Sequence, residues 1–365
     1  MSLLHQIGLT FLRNIGPASA KALLSQFGDA EQIFKTPKAK LLKVPGIGEK
    51  RTDIFSLTDV LYRAEEEIRF IEMNEITPIF YTDAAYPKRL KNCIDSPILL
   101  YAKGDMDLNK LHVVSIVGTR RATDYGRQLC RQLVEELQQY NVLVVSGLAT
   151  GIDTAAHKES MKQGLQTVGV LGHGLEMMYP AANRSTAQKM MENGGILTEY
   201  PSGTIADAKN FPQRNRIVAG MADATVVVEA SIKGGALITA EIANSYDRDV
   251  FAFPGRIDDE YSEGCNFLVR NNKAALLTCA ADLAYSLGWE SSKDAKPKKQ
   301  LAFAMDLTTE ERLIFDVIHQ HKSPLAIDDL TLKVNMPMSQ LAMNLLNMEM
   351  QGYIRSLPGK TYTLN

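Results

Sequence analysis

Cysteine is scarce: the 365-residue sequence holds four. Cys93, Cys130, Cys265 and Cys279 form no C-x-x-C pair, and no histidine stands at finger spacing. That argues against structural zinc and against a disulfide framework, and it suits a reducing cytosol. No apolar run is long enough to span a bilayer, and the opening MSLLHQIGLTFLRN has no basic stretch ahead of an apolar one. No signal peptide, no membrane contact and a cytoplasmic location are therefore expected. Excess charge of one sign is also missing, with 40 Lys+Arg against 42 Asp+Glu and a net charge of −2. A protein held to nucleic acid by bulk charge would be strongly basic, so any such contact must come from a local cluster. The GxGxxG fingerprint is absent: Gly118 is followed by Thr-Arg-Arg, which disfavours a nicotinamide cofactor. His157 and His173 have no evident nucleophile partner, and no cluster has metal-ligand spacing. No catalytic residue, metal or cofactor is expected.

What is present is ordinary globular composition, 45% hydrophobic and 22% charged, over a length that suits two or three domains. Residues 1–72 read as short helices. From there the pattern changes to compact apolar runs, His112–Val117, Val142–Val145, Gln166–Leu171, Gly195–Leu197, Thr225–Val228 and Asp249–Phe253. Helical patterns lie between most of them: Tyr125–Tyr140, Thr154–Gln163, Ala181–Glu192 and Ala236–Tyr246. Such alternation predicts an α/β domain over 73–289, a parallel sheet covered on both faces. The β-rich stretch Ile76–Lys103 is expected to add an edge strand. Glu290–Gln300 has almost no apolar residues and reads as a solvated linker, taken as 290–305. The last domain, 306–365, offers three helices, Thr309–Gln320, Ile327–Val334 and Met338–Met350. Two short strands, Tyr353–Leu357 and Thr361–Leu364, then flank Pro358-Gly359, which is a winged-helix pattern.

Near the N-terminus, Asn14-Ile15-Gly16-Pro17 and Val44-Pro45-Gly46-Ile47-Gly48-Glu49-Lys50-Arg51 each put glycine in a tight turn before a helix. Helix-hairpin-helix modules use this arrangement to turn backbone N–H groups toward a DNA phosphate. Gly46, Gly48, Lys50 and Arg51 are the candidate accessory DNA contacts. The alternative is a packing domain that keeps the turns without the contact.

In the central domain, successive predicted strands end in small or polar residues: Gly118-Thr119-Arg120-Arg121, Ser146-Gly147, Gly172-His173-Gly174 and Thr198-Glu199-Tyr200. The carboxyl ends of strands form the ligand crevice of an open α/β sheet, and the two arginines bring a phosphate-gripping fork to it. Asp153 is placed as the cap of the helix carrying His157. Lys209-Asn210-Phe211-Pro212-Gln213-Arg214-Asn215-Arg216 then joins cations to an aromatic ahead of an apolar helix. Single-stranded nucleic acid needs both, charge for phosphates and a ring for an unpaired base. The competing reading makes Phe211 a core residue and the arginines a solvated helix start. Gly234-Gly235 suits close backbone approach to a ligand.

Taken in order, SIVGTRRAT, VVSGLATGIDTAAH, GVLGHGLEMMYPAAN, ILTEYPSG, FPQRNRIVAG, VVVEASIKGGALITAEIA and RDVFAFPG resemble the DNA-processing protein A family (DprA, also called Smf). They span Ser115–Gly255, and TDAAYPKRL…DSPILLYAKG resembles the family's lead-in. The resemblance implies an extended Rossmann-like core between a helix-hairpin-helix (SAM-like) domain and a winged-helix-like domain. It implies a homodimer that is not an enzyme, binds single-stranded DNA and assists a RecA-type recombinase in DNA uptake or recombination. Carried over by position, Arg120 would hold backbone phosphate, Lys209 and Arg214 would add charge, and Phe211 would contact a base. Gly118, Thr119, Ser146, Gly147, Gly172, Gly234 and Gly235 would let the strand approach, with Arg121 and Asn215 beside them.

For the C-terminal domain a duplex reading is resisted. Its recognition helix, Pro337–Gln351, holds no Lys or Arg, and the domain carries five basic against seven acidic residues, poor for a phosphate-driven interface. A protein contact through an adaptable methionine surface (336, 338, 343, 348, 350) is the hypothesis, although most of these methionines are expected to pack the small core. Two rival functions remain. A Rossmann-like nucleotide phosphoribohydrolase would carry PGGxGTxxE where this chain has Lys233-Gly234-Gly235-Ala236-Leu237-Ile238-Thr239-Ala240-Glu241, and the bulky apolar residues obstruct that turn. A small-ligand binder is allowed by the crevice glycines.

Overall fold

The computed structural model describes residues 2–41, 43–45, 47, 57–289, 307–321, 325–351, 353–357 and 361–364. The chain divides into two compact units, Met1–Lys293 and Asp294–Asn365. The candidate hairpin residues Gly46, Gly48, Lys50 and Arg51, and the linker reading of Glu290–Gln300, lie outside the described residues.

The first unit opens with helices α1 (Leu3–Phe11), α2 (Pro17–Phe27), α3 (Ala30–Lys35), α4 (Lys38–Leu41) and α5 (Leu57–Met73). Gly16 caps α2 and Pro17 takes its first position, where a missing N–H costs nothing. Strand β1 (Thr77–Phe80), helix α6 (Lys88–Lys91) and strand β2 (Leu99–Asp105) follow. The expected edge strand is thus an antiparallel pair, β1 on β2, with β2 antiparallel to the next strand inward. The apolar faces of the helices join Ile76, Phe80, Ile98, Leu99 and Tyr101 in one core, so the helical domain is packed onto this sheet edge.

The α/β region then runs β3 (Val113–Val117), α7 (Asp124–Leu137), β4 (Leu143–Ser146), α8 (Ile152–Lys162), β5 (Thr167–Val170), α9 (Arg184–Met190) and β6 (Gly194–Thr198). It continues through α10 (Asn210–Met221), β7 (Ala224–Val227), α11 (Gly235–Ser245), β8 (Asp249–Ala252), α12 (Glu263–Arg270), β9 (Ala275–Leu276) and α13 (Ala280–Ser286). The sheet order is β1-β2-β6-β5-β4-β3-β7-β8-β9, parallel from β6 to β9. Side chains alternate across each strand. Val113 and Val117 enter a core with Ile217, Val218 and Leu237 on one face. Val114 and Ile116 enter a core with Leu133, Val134 and Ile152 on the other. Both faces are buried, which is why these strands are continuous apolar runs. The order grows from β3 through β4 and β5 to β6, then returns to β7 on the other side of β3. The switch point, where a doubly wound sheet leaves its crevice, therefore lies between β3 and β7.

The second unit comprises α14 (Thr309–His321), β10 (Leu325–Ala326), α15 (Ile327–Val334), α16 (Met338–Met350), β11 (Ile354–Leu357) and β12 (Thr361–Leu364). Three helices and a sheet ordered β10-β12-β11 enclose Ile314, Ile318, Leu330, Leu341, Leu345 and Met348. This is a winged helix with one short strand more than the pattern predicts. Its methionines correct the expectation that most pack the core. Met348 is buried and Met336 partly so, but Met338, Met343 and Met350 are exposed, the last at 80%.

Candidate nucleic-acid interface

A cleft of about 590 Å³ opens at the switch point. The β3 tip supplies Gly118, Thr119 and Arg120, the β4 tip Gly147 and Ala149, and the turn after β7 Ala230 and Gly234. Three helices open into it with their N-terminal halves: Asp153 of α8, Phe211, Pro212, Arg214 and Asn215 of α10, and Gly235, Ala236, Ile238 and Thr239 of α11. Each helix N-terminus carries a partial positive charge, so the cleft is electropositive beyond its arginines.

Arg120 is exposed, with its guanidinium carbon 5.7 Å from the Phe211 ring centre. On Phe211 stands a second ring, Tyr179, with centroids 5.6 Å apart and planes inclined by 32°. Tyr179 also lines the cleft and is 48% exposed. It sits in the loop between β5 and α9 and is held by buried His173, whose Nε2 accepts from the Tyr179 N–H at 3.2 Å. His173 Nδ1 lies 2.9 Å from the Gly174 carbonyl; it must therefore be the ring nitrogen that carries the proton. Phe211 is neither a core residue nor fully free. It is half-buried over Gly172, where an added Cβ would come within 3.0 Å of its Cδ1. Gly172 thus makes room for the ring and does not itself line the cleft.

Arg214 is placed differently from Arg120. It is 5% exposed, and its Nη1 donates to the carbonyls of Gly147 and Val170 at the β4 and β5 tips. Burial lowers its pKa to about 10, with the Asp153 charge acting in the opposite direction, so the guanidinium is charged at neutral pH. Gly147 is required because a Cβ there would collide with that guanidinium. Asp153 is not the cap expected of it. Gly151 takes the cap position of α8, with φ +82°. Asp153 instead accepts from the backbone N–H groups of Gly147 at 3.1 Å and Ala149 at 3.3 Å, stiffening the β4 tip. Burial pushes its carboxyl upward against Arg214.

The remaining candidates divide. Gly118 is tight because a Cβ would strike Ile152. Gly235 faces open space. Ser146 is buried below the lining, its hydroxyl donating to the Ile116 carbonyl at 2.6 Å. Arg121 and Lys209 are exposed but do not line the cleft. Helix α10 begins at Asn210, so Phe211–Arg216 is helical and not a lead-in loop. Arg216 turns away and pairs with Glu199. Glu241, which a phosphoribohydrolase would need, is exposed outside the lining and pairs with Lys273 at 3.0 Å. Among the described residues no group of His, Cys, Asp or Glu could hold a metal ion, and no helix is long and apolar enough to cross a membrane.

Behind the cleft, fully buried His157 places Nδ1 2.7 Å from Thr167 Oγ1. The Thr167 hydroxyl donates to the Val144 carbonyl, so Nδ1 must be the donor. Burial first, then the Arg214 charge, lowers the His157 pKa from 6.5 to about 3. Between those values the unfolded chain binds a proton that the folded chain does not, so stability falls as pH falls. The slope is about 1.4 kcal/mol per pH unit. From pH 6.5 to pH 5 the wild type should lose about 2 kcal/mol more than His157→Gln in urea unfolding; parallel pH profiles would refute this.

The family model for DNA recombination-mediator protein A matches residues 77–288. The chain belongs to that family. A DprA winged helix domain matches residues 297–360, and a SAM-like helix-hairpin-helix tandem matches residues 7–53. Among DprA relatives, Protein Smf of Synechocystis is 36% identical over 275 residues, covering 73% of this chain and 68% of the relative. The DNA processing protein DprA of Streptococcus pneumoniae is 39% identical over 201 residues, 55% of this chain and 71% of the relative. The X-ray structure of the pneumococcal DprA superposes with a TM-score of 0.69 at 30% identity, covering 78% of this chain and 98% of that one. DprA from Helicobacter pylori, whose structure is described for its single-stranded DNA binding mode, gives 0.53 at 28% identity, covering 58% and 95%. The DprA fold thus has here its helix-hairpin-helix, Rossmann-like and winged-helix parts.

Proposed function

We propose that this chain is a non-enzymatic, cytoplasmic binder of single-stranded DNA whose central cleft is the binding site. The observation that carries it is the joining of Arg120, Phe211 and Tyr179 at a cleft into which three helix N-termini open. Phosphates take the Arg120 fork and the backbone of Gly118, Thr119, Gly147, Gly234 and Gly235, with Asn215 beside them. Unpaired bases stack on the Phe211–Tyr179 pair. Arg214 and Asp153 hold the strand tips that shape the cleft, while Arg121 and Lys209 meet the strand only outside its lining. The single-strand binding of the Helicobacter pylori relative supports the reading. So does family membership among recombination mediators, from which we take a homodimer assisting a RecA-type recombinase in DNA uptake and recombination. The C-terminal domain, with Met338, Met343 and Met350 exposed, serves a protein contact.

Fluorescence-anisotropy titration with labelled oligo-dT tests the site. The expected result is preference for the single strand over duplex, weakening as salt rises. Phe211→Ala and Tyr179→Ala should each cost about 1–3 kcal/mol of binding with the salt slope unchanged. Equal affinity for duplex, or displacement by a mononucleotide at equal concentration, would assign the cleft to another ligand. Release of free base from a nucleoside monophosphate would move it to the hydrolase reading.

A further inference from the structure

The cleft has a wall that the central domain does not hold alone. Between β6 and α10 the chain runs from Glu199 to Lys209, and Ala206 and Ala208 of this segment line the cleft. Its anchor is Ser202, and every polar atom of Ser202 is engaged by α5 of the helical domain. Glu67 Oε1 accepts from the Ser202 N–H at 2.9 Å, and Oε2 accepts from the hydroxyl at 2.6 Å. Arg63 Nη2 donates to the Ser202 carbonyl at 2.7 Å, to its hydroxyl oxygen at 2.9 Å and to Glu67 at 2.8 Å.

Glu67 is 1% exposed. A carboxylate taken out of water is retained only where hydrogen bonds replace its hydration; Arg63 supplies one and Ser202 the others, the latter only from its present position. Arg63 is fixed in turn, its guanidinium lying 5.1 Å from the Phe11 ring centre of α1. Beyond Ser202, Gly203 N–H donates to Glu176 at 2.7 Å, and the Thr204 carbonyl accepts from Gly174 N–H at 2.9 Å. Gly174 adjoins His173, which holds Tyr179. The clamp therefore supports both the wall and the loop bearing the second ring.

We propose that the helical domain is a working part of the single-strand site, with Glu67 and Arg63 as positioning residues that set the cleft wall through Ser202. This rests on the proposed single-strand function. The full chain is titrated with labelled oligo-dT as wild type, Glu67→Gln and Ser202→Ala. An amide at position 67 turns a donor toward donors, and alanine at 202 removes the hydroxyl. Both should weaken binding about five- to tenfold with the wild-type salt slope, since no phosphate contact is removed. Hydrogen exchange of the same proteins without DNA should show faster exchange confined to 203–209 and to the 174–179 loop hydrogen-bonded to it. Wild-type affinity in both variants overturns the proposal, as does exchange that spreads through β3–β5, which would mark a general loss of structure. Should Glu67→Gln fail to fold, Ser202→Ala decides alone. If the wild type shows no single-strand preference, the functional reading fails, while faster exchange at 203–209 would still identify the clamp.

Discussion

Replacing Arg120 with alanine weakens oligo-dT binding about ten- to hundredfold, and flattens its salt dependence by about one phosphate's worth. Among the cleft arginines, Arg120 is exposed while Arg214 is tied to two carbonyls. A charge-assisted hydrogen bond is worth about 1.5–3 kcal/mol, which sets the range. For a single strand, one lost phosphate contact lowers the slope of log K against log salt by about 0.7. Stability should stay within about 0.5 kcal/mol of wild type, as expected for a surface side chain. The check is anisotropy at several salt concentrations beside urea unfolding of the same protein. A loss of affinity with the slope intact would place the phosphate contact elsewhere.

That contrast between two arginines marks how far the sequence carries. The parallel strands were legible because both faces are buried, leaving no polar alternation to confuse them with loops. Their small carboxyl-terminal residues located the crevice, and the sheet order then puts its switch point between β3 and β7. Arg214 lines the cleft as expected, but as a buried side chain tied to two carbonyls. A sequence shows a cation, and its burial depends on Gly147 leaving space from another strand. Tyr179 was missed because it belongs to a loop with no cationic neighbour of its own, and only the fold brings it to Phe211. Asp153 carried the signal of a helix cap, but the positive φ of Gly151 moved the helix start ahead of it. The Glu67–Ser202 clamp joins positions 135 residues apart, beyond any local pattern.

Replacing Arg214 with alanine is therefore expected to act on the fold before it acts on DNA. The substitution strips the Gly147 and Val170 carbonyls of their guanidinium donor and takes from buried Asp153 the cation that opposes its neutralisation. Breaking a buried charge arrangement from one side costs about 3–5 kcal/mol, so the urea midpoint should fall sharply and binding with it. Arg214→Lys keeps the charge, but a single ammonium lacks the planar fork that spans two carbonyls, and it should recover only part of the loss. Gly147→Ala should weaken the same contacts from the other side, because its Cβ displaces the guanidinium. If the two residues act as one unit, the double variant costs less than the sum of the singles. Additive costs would mean that Gly147 and Arg214 act independently. An Arg214→Ala protein as stable as wild type that binds more weakly with a flatter salt slope would mean that Arg214 meets phosphate directly and is not the brace between the β4 and β5 tips.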